Sequence, residues 1–170
     1  EKDPLSFGAM MVRLGKADAM VSGAISSTAS LLRAGLKIIK TAPGSSTASS
    51  CFVMDTHDEK WGHKGMLIFS DCAVVPEPDS EQLADIAVAA ATSCRALLGC
   101  EPVVSMLSFS TKGSGGKLDS VVTVQEAVKK AHEKAPNLLL DGELQADASL
   151  IPEVTALKAP GSPITGKVNT

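Results

Sequence analysis

Between Asp79 and Leu140 the chain switches repeatedly between two hydrophobic periods, and that alternation limits its fold more than any other feature of the sequence. Asp79 with Gln82 three residues on forms a capping box, after which Leu83, Ile86, Ala87, Ala90, Cys94 and Leu97 recur at helical spacing until Gly99 stops the run. Val103–Phe109 is a short apolar strand. Asp119–Lys134 repeats the amphipathic pattern through Val121, Val124, Val128 and Ala131, and Asn137–Leu140 follows Pro136 as another apolar strand. Helix–strand–helix–strand order places parallel strands side by side with helices crossing over them, because a crossover of that length returns the chain to the same end of the sheet. The expected fold is therefore α/β, a three-layer α/β/α domain built on a mostly parallel sheet. With 170 residues, 44% of them hydrophobic and 21% charged, the chain can fill such a core.

Two further stretches fit around this centre. Ser50–Asp55 and Gly65–Phe69 read as strands joined by a polar loop holding His57 and His63, which predicts an antiparallel hairpin at the sheet edge. Upstream, Asp3-Pro4 is an N-cap followed by Pro at the first helical position, with Phe7, Met10, Met11 and Leu14 on one face before Gly15. Ala17–Val21 then reads as a buried strand, Ser22-Gly23 as a turn, and Ser26-Ser27-Thr28 as the cap of a helix carrying Leu32, Gly35, Leu36 and Ile39. Thr41-Ala42-Pro43-Gly44 is the best internal boundary, and Lys158–Lys167 is a Pro/Gly return linker. No repeat of 20–50 residues is evident.

Several function classes are excluded. Sixteen Lys and Arg against nineteen Asp and Glu leave a net charge of −3, where a nucleic-acid surface needs a clustered basic excess. Aromatics are 3% with no Tyr, which removes stacking platforms for single strands. The longest apolar run, Leu83–Leu98, is interrupted by Asp85 and Arg95 and does not reach a membrane span. No signal-peptide pattern opens the chain. Cys51, Cys72, Cys94 and Cys100 match no metal or redox spacing, so reduced, mostly buried thiols in a cytoplasmic protein are expected, with no metal site and no bound cofactor.

Chemistry can be placed in three stretches. Val21–Thr28 sets a Gly and small hydroxyls between a strand end and a helix start, where free N–H groups favour an anion, and Arg33 lies one turn on, able to lean back toward it. Plain capping by Ser27 or Thr28 beside a solvated Arg33 is the simpler account of that spacing. Ser108–Gly116 (SFSTKGSGG) leaves the carboxyl end of a strand, the edge where open α/β sheets bind ligands, yet Lys112 precedes its glycines and no P-loop is formed. An exposed turn explains it equally well. Asp141–Asp147 (DGELQAD) gathers three acids and an amide just after a strand, suited to a cation or a general base, although solvated acids at a helix start account for it more simply.

Taken together, DPLSFGAMMVRLGKADAMVSGAISSTASLLRAGLKIIKTAPG, the SFSTKGS loop, DGELQADASL and KAPGSPITGKVN resemble the middle of a phosphate acetyltransferase, the phosphotransacetylase family, over essentially all 170 residues and in the family's order. Relatives acting on butyryl groups, and regulatory phosphotransacetylase-like domains of malic enzymes that bind acetyl-CoA, share parts of these blocks. The resemblance implies a two-lobed α/β fold similar to isocitrate and isopropylmalate dehydrogenases, an active cleft between lobes, and a homodimer. It implies transfer of an acetyl group between acetyl phosphate and coenzyme A, which is a substrate and not a resident cofactor.

By position, the resemblance makes Ser27, Thr28 and Arg33 the phosphate-binding candidates, and it makes Ser110, Thr111 and Lys112 cleft-lining candidates. Residues 1–43 are then a remnant of the first lobe, 44–165 the second lobe, and 166–170 the start of a return to the first. The family's general-base Asp and a further phosphate-binding Arg belong to a segment beyond Thr170, so the catalytic base is not assigned here. The chain by itself is expected to fold, to dimerise and to lack turnover. Some members carry a Cys in the loop that here reads His57-Asp58-Glu59-Lys60, so no thiol role carries over.

Overall fold

A computed structural model describes residues 3–170, which divide into one compact unit ending at Ala48 and a second spanning Ser49–Thr170. The first unit is helical. Helix α1 (Pro4–Arg13) starts where Asp3 accepts from the Leu5 and Ser6 N–H groups, as its sequence predicts. Helix α2 (Thr28–Ala34) is capped by Ser27 and runs into a wider π-type turn, Gly35–Ile39. The strand expected at Ala17–Val21 does not form. No strand edge exists among the described residues of this unit to pair with it, and Val21 is fully exposed while Met20 lies against Gly8 of α1.

The second unit is α/β. Strands β1 (Cys51–Asp55) and β2 (Met66–Ser70) pair antiparallel from Cys51 opposite Ser70 to Asp55 opposite Met66, the expected hairpin. Helix α3 (Ser80–Leu98) opens on the Asp79–Gln82 capping box and ends at left-handed Gly99. Strand β3 (Val103–Leu107), helix α4 (Asp119–Lys134) and strand β4 (Leu139–Leu144) follow, with β3 and β4 parallel. Two short helices, α5 (Ala146–Leu150) and α6 (Pro152–Lys158), complete the unit. The four strands form two separate two-stranded ladders, one antiparallel and one parallel, where one mostly parallel sheet was expected.

Ala84, Ala87 and Ala91 of α3 pack with Val124, Ala127 and Ala131 of α4 over Val104, Met106 and Leu140. Small residues on the facing helices let them approach closely and cover the ladder without aromatic side chains. Leu144, Ala148, Ala159, Ile164 and Val168 form a second cluster. Cys94 is buried while Cys51, Cys72 and Cys100 are half-buried, and all four are free, with the Cys94 and Cys100 sulfurs 3.8 Å apart. No helix among the described residues is long and apolar enough to cross a membrane.

Asp71 locks the turn after β2. Its Oδ1 accepts from the Ser50 N–H at 2.8 Å and from the Ser50 hydroxyl, and its Oδ2 accepts from the Val74 and Val75 N–H groups. Burial pushes this carboxyl up, but those donors outweigh it and hold the group at about 2 instead of 3.8. Because the folded value is the lower one, its contribution is complete above the unfolded value and is lost as pH falls from 3.8 to about 2. Asp71→Asn is expected to cost on the order of 2 kcal/mol at neutral pH, with the difference from the parent closing across that acid window in urea unfolding. A difference independent of pH would refute the assignment.

Candidate functional site

The carboxyl ends of β3 and β4 gather three of the four motif blocks. Ser110 and Thr111 are buried at 0% and 4% exposure, because the loop after β3 folds back onto β4. The Ser110 hydroxyl donates to Glu143 Oε1 at 2.9 Å and accepts from the Gly115 N–H at 2.9 Å. Thr111 Oγ1 donates to Gln145 Oε1 at 3.2 Å and accepts from the Gln145 N–H at 2.9 Å. Lys112 adopts a left-handed backbone, φ 48°, which turns its ammonium onto Asp141 Oδ1 at 2.5 Å and the Gly142 carbonyl at 2.8 Å. Asp141 Oδ2 accepts in turn from the Ser162 hydroxyl, so SFSTKGS, DGELQADASL and KAPGSP are joined through one carboxylate.

Two of the three acids after Asn137–Leu140 are therefore not solvated. Asp141 and Glu143 lie inside β4, which continues to Leu144, and both are buried. Burial pushes the Glu143 carboxyl up, but the N–H groups of Gly113 and Glu143, the Ser110 hydroxyl and the Gln125 amide outweigh it and hold it below the ordinary carboxylate value. Asp147 stays on the surface, its carboxyl lowered chiefly by Lys158, whose ammonium also reaches Gln145. Most donors and acceptors at this edge are used within it, and the half-exposed Lys112 is its cation nearest the buried acids.

The helical unit carries a different surface. Ser26, Ser27, Ser30, Arg33 and Lys37, with Ser6 from α1, line a hollow of about 460 Å³. Ser27 Oγ accepts from the Ser30 N–H at 3.2 Å and lies 2.9 Å from the Ser30 hydroxyl, which fixes both oxygens at the helix start. Arg33 and Lys37, four residues apart, stand on one helix face. Neither forms an ion pair among the described residues. Among the described residues Asp3 is the wall's one carboxylate, and its oxygens are turned onto the N–H groups of Leu5 and Ser6 and the Ser6 hydroxyl. The hollow thus offers two cations and several hydroxyls to an anion, the donor set that a phosphate takes.

Of the residues predicted from sequence, the structure brings Ser27 and Arg33 together here, while Thr28 is exposed at the first helical position and does not line the hollow. Ser110, Thr111 and Lys112 belong to the other unit. Sequence reasoning missed Ser30 and Lys37, although spacings of three and four from Ser27 and Arg33 would have found them. Ser6 and Ser162 carry no such signal, since only tertiary folding brings them in.

A profile of the phosphate acetyl/butaryl transferase family matches residues 1–170. The chain belongs to that family. Within it, the chain is 59% identical over 171 residues to the phosphate acetyltransferase of Treponema pallidum (strain Nichols), covering 99% of this chain and 51% of that protein. Among solved structures it is similar to the EutD phosphotransacetylase from Staphylococcus aureus, with TM-score 0.85 and 48% identity over 97% of this chain and 49% of that one. It is likewise similar to a phosphotransacetylase from Streptococcus pyogenes, with TM-score 0.86 and 46% identity over 97% of this chain and 48% of that one. The chain spans about half the length of the curated relatives it matches.

Proposed function

We propose that this chain is part of a phosphate acetyltransferase, which interconverts acetyl phosphate and coenzyme A with acetyl-CoA and phosphate. The observation that carries the proposal is the hollow on α2, where Arg33 and Lys37 face serine hydroxyls with no ion-pair partner among the described residues, in a chain of this family. In the forward reaction the thiolate sulfur attacks the acyl carbonyl, a C–S bond forms, and the bond from the acyl carbon to the bridging oxygen breaks, its electron pair leaving on that oxygen as phosphate. Charge then builds on the departing phosphate, so fixed donors there are worth more in the transition state than before it. Ser27 and Arg33 are assigned to that phosphate, and Thr28 opens the same helix outside the hollow; Lys112 is assigned to the substrate-facing side of the second lobe, on the loop that the buried Ser110 and Thr111 hold in place. No base is assigned among these residues.

The finer fold reading is a three-layer α/β/α arrangement similar to isocitrate and isopropylmalate dehydrogenases, with 1–43 from the first lobe, 44–165 the second lobe and 166–170 a return segment. The α/β content of the second unit supports it, and the break between Ala48 and Ser49 lies five residues beyond the proposed boundary, with 166–170 packed in the second unit. The location proposed is cytoplasmic. The full-length protein containing this chain tests the activity: acetyl-CoA thioester should form from acetyl phosphate and coenzyme A, faster than butyryl-CoA from butyryl phosphate. No thioester from either acyl phosphate would sink the proposal, and faster butyryl transfer would reassign the acyl group.

A homodimer is proposed as well. Strand β1 pairs on one side only, and Phe52, Val53, Met54 and Phe69 are all at least 44% exposed, leaving an apolar ladder uncovered. An open apolar edge of that kind associates unless it is charged. Phe52→Glu is expected to convert a dimer to a monomer in light scattering. A parent chain that is itself monomeric at high concentration would remove the proposal.

A further inference from the structure

The turn that closes α3 brings together two thiols that sequence spacing does not relate. Gly99 takes the left-handed backbone, φ 67°, and reverses the chain, so Cys100 falls back on the last turns of the helix against Cys94, six residues earlier. Their sulfurs are 3.8 Å apart, and both thiols are free. The neighbouring pair ties the same turn from outside, where Arg95 Nε and Nη2 donate to Glu101 Oε2 at 3.3 and 3.1 Å. A disulfide needs sulfurs about 2.0 Å apart, so these two must close by a little under 2 Å, within the reach of a side-chain rotation at Cys100.

Asn169 orients both sulfurs. The Cys94 thiol donates to its side-chain oxygen at 3.6 Å, and its amide donates to the Cys100 sulfur at 3.5 Å. With its proton turned onto Asn169, Cys94 presents lone pairs to Cys100. Asn169 is itself held, because its oxygen also accepts from the Val103 N–H at 2.8 Å and its amide donates to the Glu101 carbonyl at 2.9 Å. The two thiols differ in access. Cys94 is 0% exposed, enclosed with Ile68 and Ala90, whereas Cys100 is half-buried at the rim of that cluster. A small oxidant therefore meets Cys100 first, and Cys94 stands ready to resolve what forms there. Of the other thiols, Cys72 is turned onto the Phe69 carbonyl at 3.0 Å, and Cys51 borders the same cluster.

We propose that Cys94 and Cys100 are a reversible oxidation site, which a peroxide converts to a disulfide closing the turn between α3 and β3. The Cys100 sulfur, as thiolate, attacks one peroxide oxygen; the O–O bond breaks, an S–O bond forms, and the other oxygen leaves and takes a proton to become water. The Cys94 sulfur then attacks the Cys100 sulfur; an S–S bond forms, the S–O bond breaks, and the oxygen leaves with the Cys94 proton as a second water. Two thiols lose two electrons and two protons, and the peroxide is reduced to two waters. Burial, with the Cys94 thiol and the Glu101 carboxylate beside it, pushes the Cys100 thiol up to about 11, so thiolate is scarce at neutral pH and the first step is slow. The same surroundings deny the reduced pair a stabilised thiolate, which favours the disulfide once it is made. The proposal does not depend on the acyl-transfer reading and survives if that assay fails.

The test treats the full-length protein containing this chain with hydrogen peroxide at mildly alkaline pH, blocks the remaining thiols, and digests it unreduced with trypsin and a glutamyl endopeptidase. Cuts after Glu81, Arg95 and Lys112 separate residues 82–95 from 96–112, so those two peptides stay together only through a bond between Cys94 and Cys100. The joined species is expected to exceed any that contains Cys51 or Cys72 by about tenfold or more, and to vanish on treatment with dithiothreitol. In Cys94→Ser, Cys100 should instead accumulate as a sulfenic acid that a cyclic 1,3-dione captures, while in Cys100→Ser the enclosed Cys94 should stay a thiol. No joined peptide from the parent, or Cys100 linked to Cys51 or to a second copy, overturns the proposal. Oxidation of Cys94 as fast in Cys100→Ser as in the parent makes the contact incidental and overturns it too.

Discussion

Arg33→Ala is expected to lower kcat/KM for acetyl phosphate by about a hundred-fold or more in the full-length protein, the scale for removing one preorganised charged donor from a site of developing negative charge. The guanidinium is placed for this. It shares the hollow with Ser27 and Ser30 and has no carboxylate partner among the described residues to neutralise it. Arg33→Lys should restore only part of the loss, because an ammonium cannot grip two phosphate oxygens as a planar fork does. Lys37→Ala should cost less, since a flexible, exposed ammonium contributes mainly long-range attraction. Its effect should therefore weaken with added salt, whereas that of Arg33 should persist. Unchanged kinetics for Arg33→Ala with acetyl phosphate would remove the hollow from the mechanism.

How much of this was legible in the sequence depended on whether the determining contact was local. Helix α3 was legible at both ends because Asp79, Gln82 and Gly99 act within one turn of it. The β1–β2 hairpin followed from two short apolar runs with a polar loop between them. Ala17–Val21 has the same composition as a strand and is none, because apolarity proposes a strand but only a neighbouring edge makes one. At Asp141–Leu144 the error ran the other way. Two acids and a glycine looked like a strand's end, yet Lys112, Ser162, Ser110 and Gly113 supply donors from 21 to 30 or more residues away, which lets a charged sequence stay inside β4. The hollow was half legible: Ser27 and Arg33 share a helix and can be related by spacing, but Ser6 comes from another helix and no periodicity relates it to them.

Glu143 makes that hidden determinant measurable. At 1% exposure it accepts from the Ser110 hydroxyl at 2.9 Å and the Gly113 N–H at 2.6 Å, and the Gln125 amide adds a third external donor. Glu143→Ala leaves all three without their acceptor in a site closed to water, at about 1–3 kcal/mol for each group left unsatisfied. Partial relaxation of the loop reduces the total, and a loss of about 3–5 kcal/mol in urea unfolding is expected, from two to three neutral donors left unsatisfied together with the space the side chain vacates. Glu143→Gln keeps an accepting oxygen in nearly the same volume and should lose roughly half as much. Because the folded carboxyl is held below its ordinary value, the part of its contribution that depends on charge is present at neutral pH and fades as acid protonates it, so the gap between Glu143→Ala and the parent should narrow at low pH without closing, since the neutral carboxyl still accepts from the same donors. The loop is the more specific readout. Amides from Thr111 to Gly116 should exchange faster in Glu143→Gln, while those of β1 and β2, which do not touch this network, keep their relative protection. A loss below 1 kcal/mol for Glu143→Ala, or a loop no more mobile than before, would mean that Lys112 and Asp141 suffice to hold this edge and that the buried glutamate is not what orders it.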